Sequence, residues 1–290
     1  MTEGKFVLLN GELLDSTTPY LKDNRSFKYG DGLFESIRII NGLPYNLSVH
    51  LDRLKRGARV LEYNIPENFN LAFVENQIRL ICQRNEITAG GRVRINIFRS
   101  GEGTFFPTTN DFDMLVTVTG LDENLFSLNK EGLLVDVYKD MYKHNDIMAN
   151  YKTANAMVYV MAANYARKHN FDDCLILDSK GKVLEACSSN IFLVSNGVLY
   201  TPPLEDGCVG GTMRMTIINA ALESKRTVYE SPISLQHLLM ADELFLTNAI
   251  KGVQWIGGYK SKRYFAKISK EMVDLLNQKQ SNLKLDLREN

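Results

Sequence analysis

The chain has 290 residues, 44% hydrophobic and 23% charged, with 34 basic and 34 acidic side chains that cancel. Such a chain buries a full core in one large or two ordinary domains, and its neutrality gives it no electrostatic reason to seek nucleic acid or an anionic membrane. No apolar run approaches the roughly 20 residues of a membrane helix. The opening MTEGKF lacks the basic-then-apolar pattern of a signal peptide, and Cys82, Cys174, Cys187 and Cys208 form no Cys-x-x-Cys pair, so a reduced, cytoplasmic protein is expected.

The first half opens with a predicted hairpin, Phe6 to Leu9 and Glu12 to Leu14, around Asn10-Gly11, a pair that favours the two-residue turn matching strand twist. A second Asn-Gly, at 41 and 42, separates the strand Phe34 to Ile40 from Pro44-Tyr45. Ser48 reads as a helix cap, with Leu51, Leu54, Ala58 and Leu61 on one face, and Leu71, Val74, Ile78 and Ile81 mark another helix. Val93, Ile95 and Ile97 alternate with Arg92, Arg94 and Asn96, the pattern of a strand with one wet face, and Met114 to Val118 is a buried strand. The polar stretch 121–132 is taken as a linker between an N-terminal domain, 1–120, and a larger C-terminal domain, 133–290. The second half begins with the strand Leu133 to Tyr138. A helix follows Lys152, with Ala154, Val158, Met161, Ala162 and Tyr165 on one face. Hairpins follow at 174–186 and 191–201, then a helix from Thr212 to Leu222, a strand from Glu243 to Leu246 and a closing helix from Phe265 to Leu276. Strands and helices mix without strict alternation, which makes the fold α+β in two domains.

Three features of the second half suggest a cofactor. Lys152 stands among small neighbours between a polar stretch and a helix, a setting suited to imine chemistry. Glu185 stands between Leu184 and Ala186 in a strand, and a buried carboxylate needs a cationic partner. That partner is either a structural ion pair or a pyridinium N–H. Gly210-Gly211-Thr212-Met213 opens a helix, where backbone N–H groups form a ready phosphate site. An amine, a carboxylate and such a turn are what an enzyme needs to hold pyridoxal phosphate. Arg53 could reach a phosphate or pair with an acid, and Arg99 could take a substrate carboxylate or end its strand in solvent. No metal site is expected, because His50, His144, His169 and His237 lack ligand spacing.

Taken in order, these segments resemble the class IV pyridoxal-phosphate enzymes of fold type IV, with a D-amino-acid-aminotransferase-like architecture. The resemblance rests on Phe27-Lys-Tyr-Gly-Asp-Gly-Leu-Phe-Glu35, His50-Leu-Asp-Arg53-Leu, Lys152-Thr-Ala-Asn155, Leu184-Glu-Ala-Cys-Ser-Ser-Asn-Ile-Phe192, Leu199-Tyr-Thr-Pro202 and Gly211-Thr-Met-Arg214. It implies Lys152 as imine lysine and proton shuttle and Glu185 as partner of the ring nitrogen. Arg53, the backbone at Thr212 and Met213, and the turn at Asn248-Ala249 would hold the phosphate, with Ser189 and Asn190 against the cofactor. Tyr29 and Phe34 would line the substrate side together with Arg99. A homodimer with its active site near the subunit interface is also implied.

Within the family, Met213 before Arg214, Asn248-Ala-Ile and Glu185-Ala-Cys-Ser-Ser-Asn resemble 4-amino-4-deoxychorismate lyase, an enzyme of folate biosynthesis that releases 4-aminobenzoate and pyruvate. This lyase is the leading expectation. Phe34-Glu35 is aminotransferase-like, so a branched-chain or broad aminotransferase is the alternative, and a non-catalytic binding protein with the same fold is a minor one. The D-amino-acid enzyme's Arg-x-His trap is absent after Arg99.

Overall fold

A computed structural model describes residues 2–18 and 24–286, with side chains through 278. The expected domain ends at 1 and 287–290 lie outside the described residues. The chain forms two compact units, Met1–Leu125 with Tyr151–Asn155, and Phe126–Asn150 with Ala156–Asn290.

The first unit contains β1 (Thr2–Glu3), β2 (Phe6–Leu9), β3 (Glu12–Asp15), α1 (Arg25–Tyr29), β4 (Gly32–Ile40), β5 (Leu43–Pro44), α2 (Leu47–Val60), α3 (Leu71–Arg84), β6 (Gly90–Arg99) and β7 (Phe112–Leu121). Its strands form one antiparallel sheet in the order β3-β2-β7-β6-β4-β5, with β1 also on β7. The Asn-Gly turns work as expected, with positive φ at Asn10 and Gly11 and at Asn41 and Gly42. Alternation along β6 puts Val93, Ile95 and Ile97 in the core with Ile37, Ile39, Val116, Ile78 and Ile81. Ser48 is not the cap expected of it. The helix begins at Leu47 after Asn46, whose left-handed backbone makes the turn without a side-chain cap.

Residues 151–155 return to this unit as an extended segment beside β4. Leu33 bridges Thr153, Phe34 N–H donates to Lys152 O at 2.8 Å, and Ala154 N–H donates to Gly32 O at 2.8 Å. The helix expected directly after Lys152 therefore starts later, at Met157.

The second unit contains β8 (Leu133–Tyr138), α4 (Met157–Lys168), β9 (Asp173–Leu177), β10 (Lys182–Ala186), β11 (Asn190–Ser195), β12 (Val198–Thr201), α5 (Thr212–Glu223), β13 (Val228–Glu230), β14 (Ile233–Ser234), α6 (Leu235–Met240), β15 (Glu243–Asn248), β16 (Gly252–Tyr259), β17 (Lys262–Arg263) and α7 (Ile268–Asp286). The path β11-β15-β16-β8-β9-β10 closes on itself, because β10 also pairs with β11 through Glu185 and Asn190. This ring is a small barrel filled by Val135, Val137, Leu175, Leu177, Val183, Ile191, Leu193, Leu244, Leu246 and Ile256. Outside it, α4 packs Ala162 and Ala166 on Tyr138, Cys174 and Ile176. Met161, expected on that buried face, is exposed.

The stretch 121–132 is not a free linker. Phe126 is buried and exchanges backbone-to-amide hydrogen bonds with Asn277 (3.1 and 2.8 Å), while Asn129 pairs with the backbone and ring N–H of Trp255. Its second half is thus packed into the second unit.

In the first unit a buried charge cluster joins β4 to α2. Glu35, 2% exposed, accepts from Arg53 Nε at 2.7 Å and Nη2 at 2.5 Å, and its Oε2 lies 2.7 Å from His50 Nδ1. Burial pushes the Glu35 carboxyl up, but the Arg53 and His50 charges outweigh it and hold the group at about 2. A folded-state value below the unfolded one means stability that is present above the ordinary carboxylate range and lost as pH falls toward 2. Glu35→Gln is expected to cost about 3–5 kcal/mol at neutral pH, because it leaves Arg53 buried without its counter-charge. Urea melts of the two proteins at stepped pH should converge between about pH 4 and pH 2. A gap independent of pH would contradict this.

Candidate active site

The position of Glu185 follows from one irregularity. Between β9 and β10 the register shifts between Val183 and Glu185. Val183 and Ala186, paired with Leu177 and Leu175, face the barrel interior, while Glu185, paired with Ile176, takes the outer face under α4. The extra residue, Leu184, breaks the alternation that would put Glu185 in phase with Val183 inside the apolar barrel. Bulges re-aim side chains in this way.

Outside the barrel the carboxylate is 2% exposed and fully engaged on one side. Oε1 accepts from Lys143 Nζ at 2.5 Å and from the Tyr159 hydroxyl at 2.8 Å, and Oε2 accepts from the backbone N–H of Val209 at 2.9 Å. Burial and the neighbouring carboxylate push the Tyr159 phenol well above its ordinary value, which keeps it a donor. Lys143 also donates to Ala149 O at 2.9 Å.

Other residues expected around a cofactor also have fixed partners. Asn190 donates through Nδ2 to Val209 O at 2.8 Å, and Asn248 donates to Ser189 Oγ at 2.9 Å while its Oδ1 accepts from Ile250 and Lys251. The loop before α5 is tied down by Asn150, whose side chain donates to Leu204 O and Cys208 O and whose carbonyl accepts from Gly210 N–H. Gly211 occupies the cap position of α5 without a capping side chain, and a Cβ there would come within 1.9 Å of Asn190 Oδ1. Thr212 and Met213 follow, buried, in the first turn. The second unit thus carries two hydrogen-bonded sets, Glu185 with Asn190 through Val209, and Ser189 with Asn248, and the start of α5 at Gly211 lies against Asn190.

The first unit carries the amine. Lys152 Nζ lies 4.7 Å from the centre of the Phe34 ring, and Arg94 Cζ lies 3.9 Å from the same centre. Both are within cation–π range. Arg94 donates from Nε to Asn96 at 3.0 Å, and among the described residues its two terminal nitrogens make no hydrogen bond. Arg53 is held by Glu35, with two nitrogens committed to that carboxylate.

Two expected substrate-side residues have other partners. Each nitrogen of Arg99 donates to the protein: Nε to Asp31 (3.0 Å), Nη1 to Asn110 (2.5 Å) and Nη2 to Leu61 O (2.7 Å), with the guanidinium over Tyr63. Asp31 also pairs with Arg25, so Arg99 braces a loop. Tyr29 is 39% exposed, with Arg25 over its ring and Phe105 at 5.6 Å.

Sequence reasoning missed Lys143 and Arg94. Arg94 had a signal, since it is an arginine on the face opposite the β6 core. Lys143 had none, because its partner is placed by a bulge that no residue announces. Among the described residues there is no metal-binding cluster and no helix long and apolar enough to cross a membrane.

The family model for amino-transferase class IV matches residues 32–257. A Methanocaldococcus jannaschii protein provisionally named a branched-chain-amino-acid aminotransferase is 33% identical over 83% of each chain. The aminodeoxychorismate lyase of Bacillus subtilis is 29% identical over 84% of this chain and 83% of its own. The branched-chain aminotransferase of Thermoproteus uzoniensis, solved with norvaline, superposes with a TM-score of 0.86 at 25% identity, covering 95% of this chain and 94% of its own. The chain belongs to the class IV aminotransferase family, the pyridoxal-phosphate enzymes of fold type IV.

Proposed function

We propose that the protein is a pyridoxal-phosphate aminotransferase that moves the amino group of a branched-chain or other apolar amino acid to a 2-oxo acid. The observation that carries this reading is the 33% identity, over 83% of each chain, to the Methanocaldococcus jannaschii relative. This reverses the order that Met213 and its neighbours suggest from sequence, where the lyase leads. The lyase stays as the second reading because the Bacillus subtilis lyase matches over a similar span.

The donor set fits the cofactor. Glu185 has two acceptor positions on each oxygen. Lys143 and Tyr159 fill both on Oε1 and Val209 fills one on Oε2, which leaves one for a ring N–H. The uncapped, glycine-led start of α5 suits a phosphate, and Arg53 would add charge to it. Ser189, Asn190, Asn248 and Ala249 would border the cofactor.

When bound, the cofactor supplies an aldehyde that joins an amine and a protonated ring that takes up electron density from the substrate's α-carbon. Lys152 is assigned to hold the aldehyde at rest, then to take the α-proton on Nζ and hand it on to the carbon that would derive from the cofactor's aldehyde, the 1,3-transfer that amino-group exchange needs. Glu185 would hold the proton on the ring nitrogen, with Oε2 the oxygen that keeps an acceptor position. Phe34, beside Lys152, gives the substrate an apolar wall, and Arg94 over the same ring supplies a fork for the substrate carboxylate. By family resemblance the enzyme works as a homodimer in the cytoplasm.

Purified protein supplied with pyridoxal phosphate, L-leucine and 2-oxoglutarate should form glutamate. Formation of 4-aminobenzoate from aminodeoxychorismate without glutamate would promote the lyase, and a preparation that stays colourless with the cofactor would favour a binding protein. Lys152→Ala is expected to abolish the cofactor's visible band and to lower kcat by about 10²–10⁴ while weak cofactor binding persists. Unchanged turnover would remove the lysine assignment. Arg94→Met should raise KM for the amino acid about 10- to 100-fold with a smaller effect on kcat, the loss expected for one charge-assisted contact. An unchanged KM would place the carboxylate elsewhere.

A further inference from the structure

The Lys143–Glu185 pair assigns a role to a residue that the functional reading does not otherwise use. Lys143 is a buried lysine, 9% exposed, on the segment between β8 and α4. Its own backbone N–H is anchored to Leu177 O at 2.9 Å, at the end of β9. Its Nζ has two fixed acceptors, Glu185 Oε1 and Ala149 O, and lies 5.6 Å from the ring centre of Tyr159. A buried carboxylate is costly without a counter-charge, and Glu185 has this one in the protein itself.

We infer that Lys143 is a positioning residue for the cofactor's ring, an inference that rests on the pyridoxal-phosphate reading above. It does two things to Glu185. Together with Tyr159 it saturates Oε1, so a ring N–H would be left Oε2, whose orientation the Val209 N–H fixes. It also makes the ring end of the site a set of three charges, ammonium, carboxylate and pyridinium, rather than two. The third charge opposes further positive charge on the cofactor. Lys143 would therefore lower the pH at which the Lys152 nitrogen, once joined to the cofactor, holds its proton. Tyr159, a neutral donor to the same oxygen, shares the orienting role and not the electrostatic one.

The contrast between these two donors gives the test. Wild type, Lys143→Met, Lys143→Arg and Tyr159→Phe are loaded with pyridoxal phosphate, and the visible absorption band of each is titrated with pH. Near-ultraviolet dichroism of the apo proteins reports whether each variant has folded. Lys143→Met should move the band's midpoint upward by about 1–3 pH units, the range for one charge at close quarters. Lys143→Arg should restore a midpoint near wild type, and Tyr159→Phe should leave it within a few tenths of a unit. Should Lys143→Met not fold, the Arg and Phe variants still decide, because a Tyr159→Phe shift as large as one pH unit would overturn the charge assignment. A wild-type midpoint in folded Lys143→Met overturns it outright. If wild type itself acquires no band, the cofactor reading fails and this inference with it, an outcome separate from the other two.

Discussion

The second unit depends on a carboxylate placed where a regular strand would not put it. One extra residue at Leu184 turns Glu185 from the apolar barrel interior to the outer face. The register pair that carries this side chain, Glu185 with Asn190, is also the one that closes the six-stranded ring. Closure of the barrel and presentation of the acid are therefore one structural event. The acid cannot be re-aimed without opening the ring, which explains why its partners come from so many places: the β8–α4 segment, α4 itself and the loop before α5.

Each unit surrounds a buried acid with donors. In the first, Glu35 receives a bidentate guanidinium and an imidazole. In the second, Glu185 receives an ammonium, a phenol and a peptide N–H. The difference is in what remains. The Arg53–Glu35 pair is a matched fork that joins β4 to α2 and suits a fixed support. The Glu185 set leaves one lone pair and suits a partner that comes and goes.

Much of this was legible in the sequence because it rests on local rules. Asn10-Gly11, Asn41-Gly42 and Asn196-Gly197 mark their turns by positive φ alone. Alternation at Val93, Ile95 and Ile97 identifies the buried face of β6 without knowledge of its neighbours. Strand β16 was not legible: Gly252, Gly257 and Gly258 dilute its pattern, and although short turns join it to β15 and β17, its pairing with β8 is wholly tertiary. The site divided in the same way. Lys152 and Glu185 stand out by neighbours in sequence, whereas the acceptors Asp31 and Leu61 that hold Arg99 are distant along the chain and could not be read from it. Lys143 could not be read at all, since a lysine in a polar stretch is buried only by what folds over it.

The return of residues 151–155 to the first unit has a consequence for how the protein is made. The peptide groups of Lys152 and Ala154 complete the free side of β4, yet they leave the ribosome after 25 residues of the second unit, 126–150, have already emerged. The first unit is consequently not a domain that can finish folding as soon as its leading 125 residues are synthesised; until position 155 appears, the edge near Leu33 stays unpaired. Residues 126–150 are therefore synthesised before the segment that pairs with this edge.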